Sequence, residues 1–329
     1  MKKLINSTFL ITGATGMIGQ NIVALLKKLN EENSLNIKII AHARNNEKAN
    51  KLFQDDDIVK LVCDINDISY DKEIDYIIHT AGVTGGSKQH LDFPMTTILT
   101  ALEGTKRVLD LAVEKNVKGL VYLSTLEVYG DTGFSKEDKV ENKGGFIDPT
   151  NVRSSYPESK RMCECMCAAY TKQYGIPTYI ARLTSTFGYG VSYDDKRVFA
   201  QFARSIIENE NIVLKSTGET IRNYCDAEDA AMAFLIMLTN GTPGEAYNVA
   251  NMNTEISIKD LALKFIENYQ DCKTNLIFDI SEAEAAKLGY NKVQRNVLNS
   301  EKLLSIGWEP KFSLDETIIK LVEYMSQNK

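Results

Sequence analysis

The stretch that decides the fold is Phe9-Leu10-Ile11-Thr12-Gly13-Ala14-Thr15-Gly16-Met17-Ile18-Gly19, where a short apolar run leads into three glycines spaced three residues apart. The run predicts a buried strand, and the apolar spacing that follows predicts a helix over 17–29. Glycines let the backbone approach a pyrophosphate, and the amides of a helix N-terminus favour its charge. The motif lies between a predicted strand and a predicted helix, which is the position that a dinucleotide-binding glycine motif requires. We therefore expect a dinucleotide to contact this loop, at Gly13, Thr15, Gly16, Met17, Ile18 and Gly19.

The alternation of strand and helix continues through the first half of the chain. Apolar runs predict strands at 37–41, 58–63, 76–79, 120–124 and 178–183, and helical spacing predicts helices at about 95–115 and 157–173. Buried strands that alternate with helices form a parallel sheet covered on both faces. The predicted fold class is therefore α/β, a doubly wound sheet of Rossmann type.

After residue 184 the pattern changes. We predict a helix over 195–208, a strand over 211–215 and a helix over 226–239, with Tyr247-Asn248-Val249 rejoining the sheet. The dinucleotide-binding domain is thus expected at 1–184, rejoined by about 222–250. A smaller, interwoven α/β lobe that binds substrate is expected at 185–221 and 251–329.

Composition excludes several classes of protein. The 329 residues are 43% hydrophobic and 25% charged, as in globular proteins, which excludes a disordered or coiled-coil chain. The net charge of −6 argues against binding to a nucleic-acid polymer or an anionic membrane. No apolar run approaches the roughly 20 residues of a membrane span. Six cysteines do not make a disulfide framework, and the apolar N-terminus is interrupted by Asn6, Ser7 and Thr8, so we expect a cytoplasmic protein.

The end of the second strand indicates which dinucleotide is bound. Sites for NAD place an acidic residue there to hold the ribose hydroxyl, whereas this chain has Arg44, which suits a 2′-phosphate. The sequence therefore favours NADP(H) over NAD(H), unless Arg44 stacks on adenine or faces solvent. Asp64 and Ile65 are expected beside the adenine, although Asp64 could instead cap a turn. The backbone of Thr80, Ala81 and Gly82 is expected to run beside the cofactor.

Tyr156-Pro157-Glu158-Ser159-Lys160 carries the predicted chemistry. Pro157 suits the first turn of a helix, and the spacing of four places Tyr156 and Lys160 on one face. A free phenol has a pKa of about 10 and is a poor base at neutral pH. The Lys160 ammonium is expected to lower that pKa towards the working range.

Ser124, Thr125 and Glu127 lie at the carboxyl end of the fifth predicted strand, where open α/β sheets bind ligands. Ser124 is expected beside the cofactor, and either it or Thr125 could bind a substrate hydroxyl. Glu127 could act as an acid or a base. The alternative for these residues is that they cap the end of the strand.

The sequence resembles a known family, the extended short-chain dehydrogenase/reductases of the NAD-dependent epimerase/dehydratase type. Members of this family act on nucleotide-activated sugars. The similar segments are the glycine loop, STLEVYG, RSSYPESKR, ARLTSTFG, GETIRNYCDAEDAA, YNVAN and GWEP. The part from 122 to about 235 looks most like UDP-glucuronate decarboxylases. The resemblance implies that Thr125 binds the substrate hydroxyl, Tyr156 is the acid/base and Lys160 anchors the ribose. It also implies substrate-binding roles for Ser185, Arg197, Arg222 and Arg295, the arginines holding a nucleotide diphosphate.

Departures from the family pattern bear on the reaction. Dehydratases of the family carry Asp-Glu after the catalytic threonine, and decarboxylases usually carry Ser there; this chain has Leu126. The proline and arginine that decarboxylases carry at and after Tyr189 are absent, and Ser185 and Ala101 replace family asparagines. The substrate pocket is therefore expected to be remodelled.

The expected function is a hydride transfer to or from a nucleotide-diphosphate sugar, with Tyr156 as acid/base. A redox-neutral, epimerase-type reaction in the synthesis of surface polysaccharide precursors is favoured. The alternatives are an NADPH-dependent reductase of a nucleotide-linked keto-sugar, which Arg44 favours, and a UDP-glucuronate decarboxylase. Intact Thr125, Tyr156 and Lys160 argue against a non-catalytic dinucleotide sensor.

Two smaller expectations concern metals and assembly. Cys163 and Cys167 share a helix face that Cys165 does not, so we expect buried thiols and no metal. The resemblance implies a homodimer through the helices at about 95–115 and 157–173.

Overall fold

Residues 2–82, 90–132, 137–280 and 293–329 are described by a computed structural model of the chain. The helices are α1 (Met17–Asn33), α2 (Asn46–Leu52), α3 (Pro94–Glu114), α4 (Ser155–Tyr174), α5 (Val198–Glu208), α6 (Ala227–Asn240), α7 (Ile258–Asn268), α8 (Glu301–Ser305) and α9 (Leu314–Gln327). The strands are β1 (Thr8–Thr12), β2 (Lys38–Ala43), β3 (Ile58–Val62), β4 (Tyr76–His79), β5 (Gly119–Thr125), β6 (Thr178–Leu183), β7 (Ser185–Phe187), β8 (Ile212–Leu214), β9 (Ile221–Asp226), β10 (Ala246–Val249), β11 (Asn251–Ser257), β12 (Leu276–Phe278) and β13 (Arg295–Asn296).

Within these residues the main sheet has seven parallel strands in the order β10-β6-β5-β4-β1-β2-β3. The chain runs outward from β1 through β2 to β3, then returns to β4 and runs the other way. The connections therefore diverge between β1 and β4, and the carboxyl ends of these two strands open the crevice in which such sheets bind ligands.

The central strands β1 and β4 are buried on both sides because helices cover both faces of the sheet. Phe9 and Ile11 pack into a core with α1 and α6, whereas Leu10 points to the opposite face and packs with α3 and α4. All three side chains are fully buried. This arrangement confirms the predicted α/β doubly wound sheet.

A smaller lobe follows β6. β7, β9, β11 and β13 form a second sheet, β8 and β12 form a two-stranded one, and a separate core around Phe187, Phe199 and Phe265 holds α5, α7 and α9. The chain was expected to rejoin the dinucleotide-binding domain at about residue 222. That residue lies in β9, however, which belongs to the second sheet. The chain returns through α6 to β10, which pairs with β6, so Tyr247-Asn248-Val249 lies in the main sheet as predicted.

The C-terminal region is tied back to the main core. Trp308 is 1% exposed and its indole Nε1 donates to the Asp229 carbonyl at 3.0 Å. The Asp229 carboxylate also accepts from the backbone of Lys311 and Phe312 at 2.9–3.0 Å. These bonds fix the start of α9 against α6.

Differences from the predicted elements have local causes. The short helix α2 was not predicted because its sequence is polar and only Ala49 is buried, so it has no apolar periodicity. The helix predicted from 195 begins at Val198, because the Asp195 carboxylate accepts from the Arg197 amide at 2.8 Å and closes a turn. Among the described residues, no helix combines the length and the apolarity that a membrane crossing requires.

Candidate active site

The glycines after β1 allow three pieces of backbone to lie in contact. Gly13 has a φ of +66°, and a Cβ there would lie 2.9 Å from the Ala81 backbone after β4. A Cβ on Gly19 would lie 2.5 Å from the Gly13 carbonyl oxygen and 2.6 Å from the Ala14 Cα. Neither position can hold a side chain without moving backbone, so the turn is tight because its residues are glycines.

The turn leads straight into the N-terminus of α1. Gly16 is the N-cap and has no side chain with which to cap the helix, so the amides of Met17 and Ile18 keep their capacity to bind an anion. Thr15, Met17 and Ile18 are partly exposed there and Gly16 is exposed. A pyrophosphate fits this cradle, because Gly16 is exposed without a side chain there and the helix supplies N–H donors.

Side chains beneath the turn hold β1 against β4. The Thr12 hydroxyl is 2.7 Å from His79 Nδ1 and accepts from the Ala81 amide at 3.2 Å. His79 Nε2 then faces the Thr105 hydroxyl at 3.3 Å. Burial lowers the pKa of His79 to about 3, with the charge of Lys160 adding to the effect. The imidazole is therefore neutral. The sequence analysis placed the backbone after His79 beside the cofactor but did not predict this bridge between the strands.

On the β2 side, His42 links the turn to β3. Its Nδ1 accepts from the Gly13 amide at 3.3 Å and its Nε2 lies 3.2 Å from the Cys63 carbonyl, which makes Nε2 the protonated nitrogen. Arg44 follows β2 directly and is exposed. Asp64 is exposed, and its carboxylate accepts from the Asn66 amide at 3.0 Å, so it caps the turn that follows β3. Ile65 is buried.

The predicted catalytic residues meet at the end of β5. The Tyr156 phenol lies beside the Thr125 side chain, whose oxygen accepts from the Glu127 amide at 3.3 Å. The Glu127 carboxylate accepts from Arg153 Nη2 at 2.7 Å. Arg153 Nη1 is buried and lacks a hydrogen-bond partner among the described residues. The sequence analysis did not identify Arg153 as a site residue. Its position three residues before Tyr156 was the signal that could have identified it.

The charge around Tyr156 differs from the sequence prediction. Burial, with a smaller contribution from the Glu127 carboxylate, raises the pKa of Tyr156 to about 12 against the opposing effects of Thr125, Arg153 and Arg197. The expectation that Lys160 brings this pKa down to the working range is therefore wrong for this structure, because burial outweighs the nearby cations. At neutral pH the phenol holds its proton.

Lys160 lies one helical turn from Tyr156 and lines the same small cavity, together with Ala81 and Gly82. Its ammonium donates to the Leu123 carbonyl at 2.8 Å and lies 4.8 Å from the centre of the Tyr122 ring. Burial lowers the pKa of Lys160. The structure thus brings four predicted site residues to one cavity.

Ser124 points elsewhere. Its hydroxyl donates to the Glu164 carboxylate at 2.5 Å, and the same carboxylate is paired with Arg182 at 2.7 Å. The side chain is therefore held in a buried ionic network between β5, β6 and α4.

The predicted substrate residues divide into two groups. Arg222 Nη1 lies 3.4 Å from the Ser185 hydroxyl, and Arg222 Nε is buried with no hydrogen-bond partner in the described ranges. Arg295 lies on the neighbouring strand β13 but is paired with Asp138 at 2.5 Å and Glu255 at 2.8 Å. Arg197 is paired with Asp195 and stacks on Phe199, yet its charge still reaches Tyr156.

The cysteines of α4 follow the predicted faces. Cys163 and Cys167 are buried and Cys165 is exposed. Among the residues that the structure describes, no three His, Cys, Asp or Glu side chains cluster as metal ligands would.

Comparison with known proteins identifies the family. The family model described as "NAD dependent epimerase/dehydratase family" matches residues 9–250. The chain belongs to this family. The family resemblance stated from the sequence is thereby confirmed, and with it the expectation that the chain is an enzyme.

Individual members of the family differ in the reaction that their names state. The chain is 28% identical to dTDP-D-glucose 4,6-dehydratase of Mus musculus, over 97% of this chain and 88% of the relative. It is 27% identical to UDP-glucuronic acid decarboxylase 6 of Arabidopsis thaliana, over 94% and 86%. The solved UDP-glucuronic acid 4-epimerase of Bacillus cereus, in complex with NAD, superimposes with a TM-score of 0.78 at 19% identity, over 98% of this chain and all of that one.

The effect of the Glu127 charge on the pKa of Tyr156 can be tested by mutation. Because the Glu127 charge raises the pKa of Tyr156, Glu127→Gln should lower that pKa. If oxidation of the substrate requires the phenolate, the acid limb of kcat/KM against pH should then move to lower pH, by about 0.5–1 unit.

Glu158→Gln is the matched control, since Glu158 is paired with Arg161 at 3.4 Å on the same helix. It should leave the limb in place. An acid limb that stays fixed or rises in Glu127→Gln would show that Glu127 does not set the pKa of Tyr156.

Proposed function

We propose that this protein catalyses a redox-neutral, epimerase-type conversion of a nucleotide-diphosphate sugar in the synthesis of surface polysaccharide precursors. The observation that carries the proposal is the position of the Tyr156 phenol, which lies beside Thr125 at the carboxyl end of β5 and one helical turn from Lys160. When bound, a nicotinamide dinucleotide supplies reversible hydride acceptance, so a reaction that removes and returns the same hydride consumes none of it.

The residues have distinct tasks in this scheme. Thr125 binds the reacting hydroxyl, and Tyr156 accepts its proton as the alcohol becomes a ketone and returns it when the alcohol is restored. Lys160 holds the ribose and adds positive charge, and the glycine turn with α1 holds the pyrophosphate. Ser185 and Arg222 bind the substrate diphosphate, with Arg197 and Arg295 at its edges.

Leu126 argues against the dehydratase and decarboxylase reactions of the similar relatives. It lies between Thr125 and Glu127 and packs against Val128 and Leu298. An aliphatic side chain neither gives nor takes a proton, so this position cannot help to expel water. Epimerisation needs no such group.

A second candidate is an NADPH-dependent reductase of a nucleotide-linked keto-sugar. Arg44 favours it, being exposed at the end of β2 where a 2′-phosphate would lie. The protonated phenol of Tyr156 is also ready to give a proton to a ketone. Because of Arg44, we propose that the protein binds NADP(H) in preference to NAD(H), although the family is named for NAD.

We also propose a cytoplasmic homodimer. The described cysteines are all free thiols, as a reducing compartment allows. α3 and α4 expose apolar side chains to solvent, Met95, Leu99, Met162 and Tyr174 among them, and these suit a helical interface.

The reaction is tested with purified protein and a panel of UDP-, dTDP-, GDP- and CDP-sugars. The co-purifying dinucleotide is identified after denaturation, products are identified by NMR, and the absorbance of reduced nicotinamide is followed. We expect an isomeric sugar with no net change in reduced cofactor. Stoichiometric NADPH oxidation with a keto-sugar would instead establish the reductase, and loss of CO2 or water would establish a lyase; each result would overturn the epimerase.

The cofactor preference is tested with Arg44→Ala. Removal of a charge-assisted contact to a 2′-phosphate should weaken NADP binding at least about tenfold and NAD binding less than about threefold. Dissociation constants from fluorescence titration measure both. Lys51→Ala, an exposed cation at the end of α2, is the control and should change neither. Equal losses for the two dinucleotides in Arg44→Ala would refute the role of Arg44.

A further inference from the structure

His90 lies against the proposed acid/base. Its imidazole stacks on the Tyr156 ring with the two centroids 4.4 Å apart and the planes 18° from parallel. His90 is 4% exposed, whereas the exposed residues beside it, Leu91 and Asp92, point to solvent. A buried histidine on one face of the reacting ring has no place in the scheme above, where Thr125, Lys160 and Glu127 perform the chemistry.

The imidazole is held in one orientation. His90 Nδ1 is 3.2 Å from the Thr97 hydroxyl, which itself donates to the Phe93 carbonyl at 3.2 Å. A hydroxyl has one proton, so His90 Nδ1–H donates and Thr97 accepts. Thr97 is 1% exposed in the first turn of α3, and this bond therefore fixes the ring to a rigid helix.

A second contact ties the same segment to α4. The Ser155 hydroxyl donates to the His90 carbonyl at 3.3 Å, and Ser155 is the residue directly before Tyr156. The backbone and the ring of His90 thus both contact the first turn of α4, while Thr125 at the end of β5 lies beside the phenol. Tyr156 is located by α3, β5 and its own helix.

The contact is one between uncharged rings. Burial lowers the pKa of His90, and the positive charges of Arg153 and Lys160 lower it further against the opposing effect of Glu127. A neutral imidazole parallel to a phenol gives the offset stacking that aromatic rings prefer. The neutral His90 imidazole thus leaves the acid/base chemistry to Tyr156.

We propose that His90 is a positioning residue for Tyr156: its imidazole, oriented by Thr97, stacks on the phenol and holds it towards Thr125. The consequence for turnover rests on the proposed function, whereas the positioning does not. Small displacements of a reacting group reduce rates strongly, so loss of this stack should be visible in kcat.

The position of the Tyr156 ring is measured by NMR of protein with 13C-labelled tyrosine rings. The Tyr156 signals are assigned as those that disappear in Tyr156→Phe. The ring current of His90 should move the Tyr156 ring protons upfield in the wild type. His90→Leu should abolish this shift and His90→Phe, which keeps a flat ring, should retain most of it. Unchanged Tyr156 signals in His90→Leu would overturn the proposal, whether or not any nucleotide sugar is converted.

Kinetics give the second measurement, with the substrate that the panel identifies. His90→Leu should lower kcat at least about tenfold with KM within about threefold, and His90→Phe should recover most of that loss. Leu91→Ala, 48% exposed on the same segment, is the control and should leave kcat and the NMR signals unchanged. Urea unfolding of each variant verifies that it is folded.

Two kinetic results would contradict the proposal. If His90→Phe is as slow as His90→Leu, the ring nitrogens matter and the stack does not. If His90→Leu raises KM alone, His90 serves substrate binding. A wild type that converts no nucleotide sugar would refute the proposed function, while the NMR result would still decide the positioning.

Discussion

The structure depends on the contact of bare backbone where β1, α1 and β4 meet. A Cβ on Gly13 or Gly19 would collide with the main chain of Ala81, Gly13 or Ala14. This close approach joins β1 to β4 at the point where the sheet connections diverge, and it points the N-terminus of α1 into the resulting crevice. The glycines therefore determine how closely β1, α1 and β4 approach one another and where an anionic ligand can be held.

Electrostatics organise the second half of the site. The Tyr156 phenol lies among Glu127, Arg153, Lys160 and Arg197, and burial raises its pKa to about 12. Such a group holds its proton at neutral pH and becomes a base only when added positive charge or a stronger hydrogen bond stabilises the phenolate. The same site can thus serve oxidation and reduction, which is what a reaction that removes and returns a hydride requires.

The sequence predicted the parts of this site that are local. The glycine turn, the spacing of Tyr156 and Lys160, and the strand-end Thr125 each lie within a few consecutive residues whose pattern indicates their structure. It did not predict contacts between distant residues: Arg153 meets Glu127 across 26 positions, Glu164 meets Ser124 across 40, and Ser155 meets His90 across 65. The pKa of Tyr156 was misjudged for a related reason, because burial is a property of the assembled fold.

The central claim is that Tyr156 transfers the proton in a reaction on a nucleotide sugar. Its most direct test is single-turnover conversion of the best substrate by Tyr156→Phe, with Tyr174→Phe, an exposed tyrosine at the end of the same helix, as the control. Tyr156→Phe should bind dinucleotide and sugar as the wild type does but convert the sugar at least about 10²-fold more slowly, while Tyr174→Phe keeps the wild-type rate. Conversion by Tyr156→Phe within a few-fold of the wild type would contradict the claim.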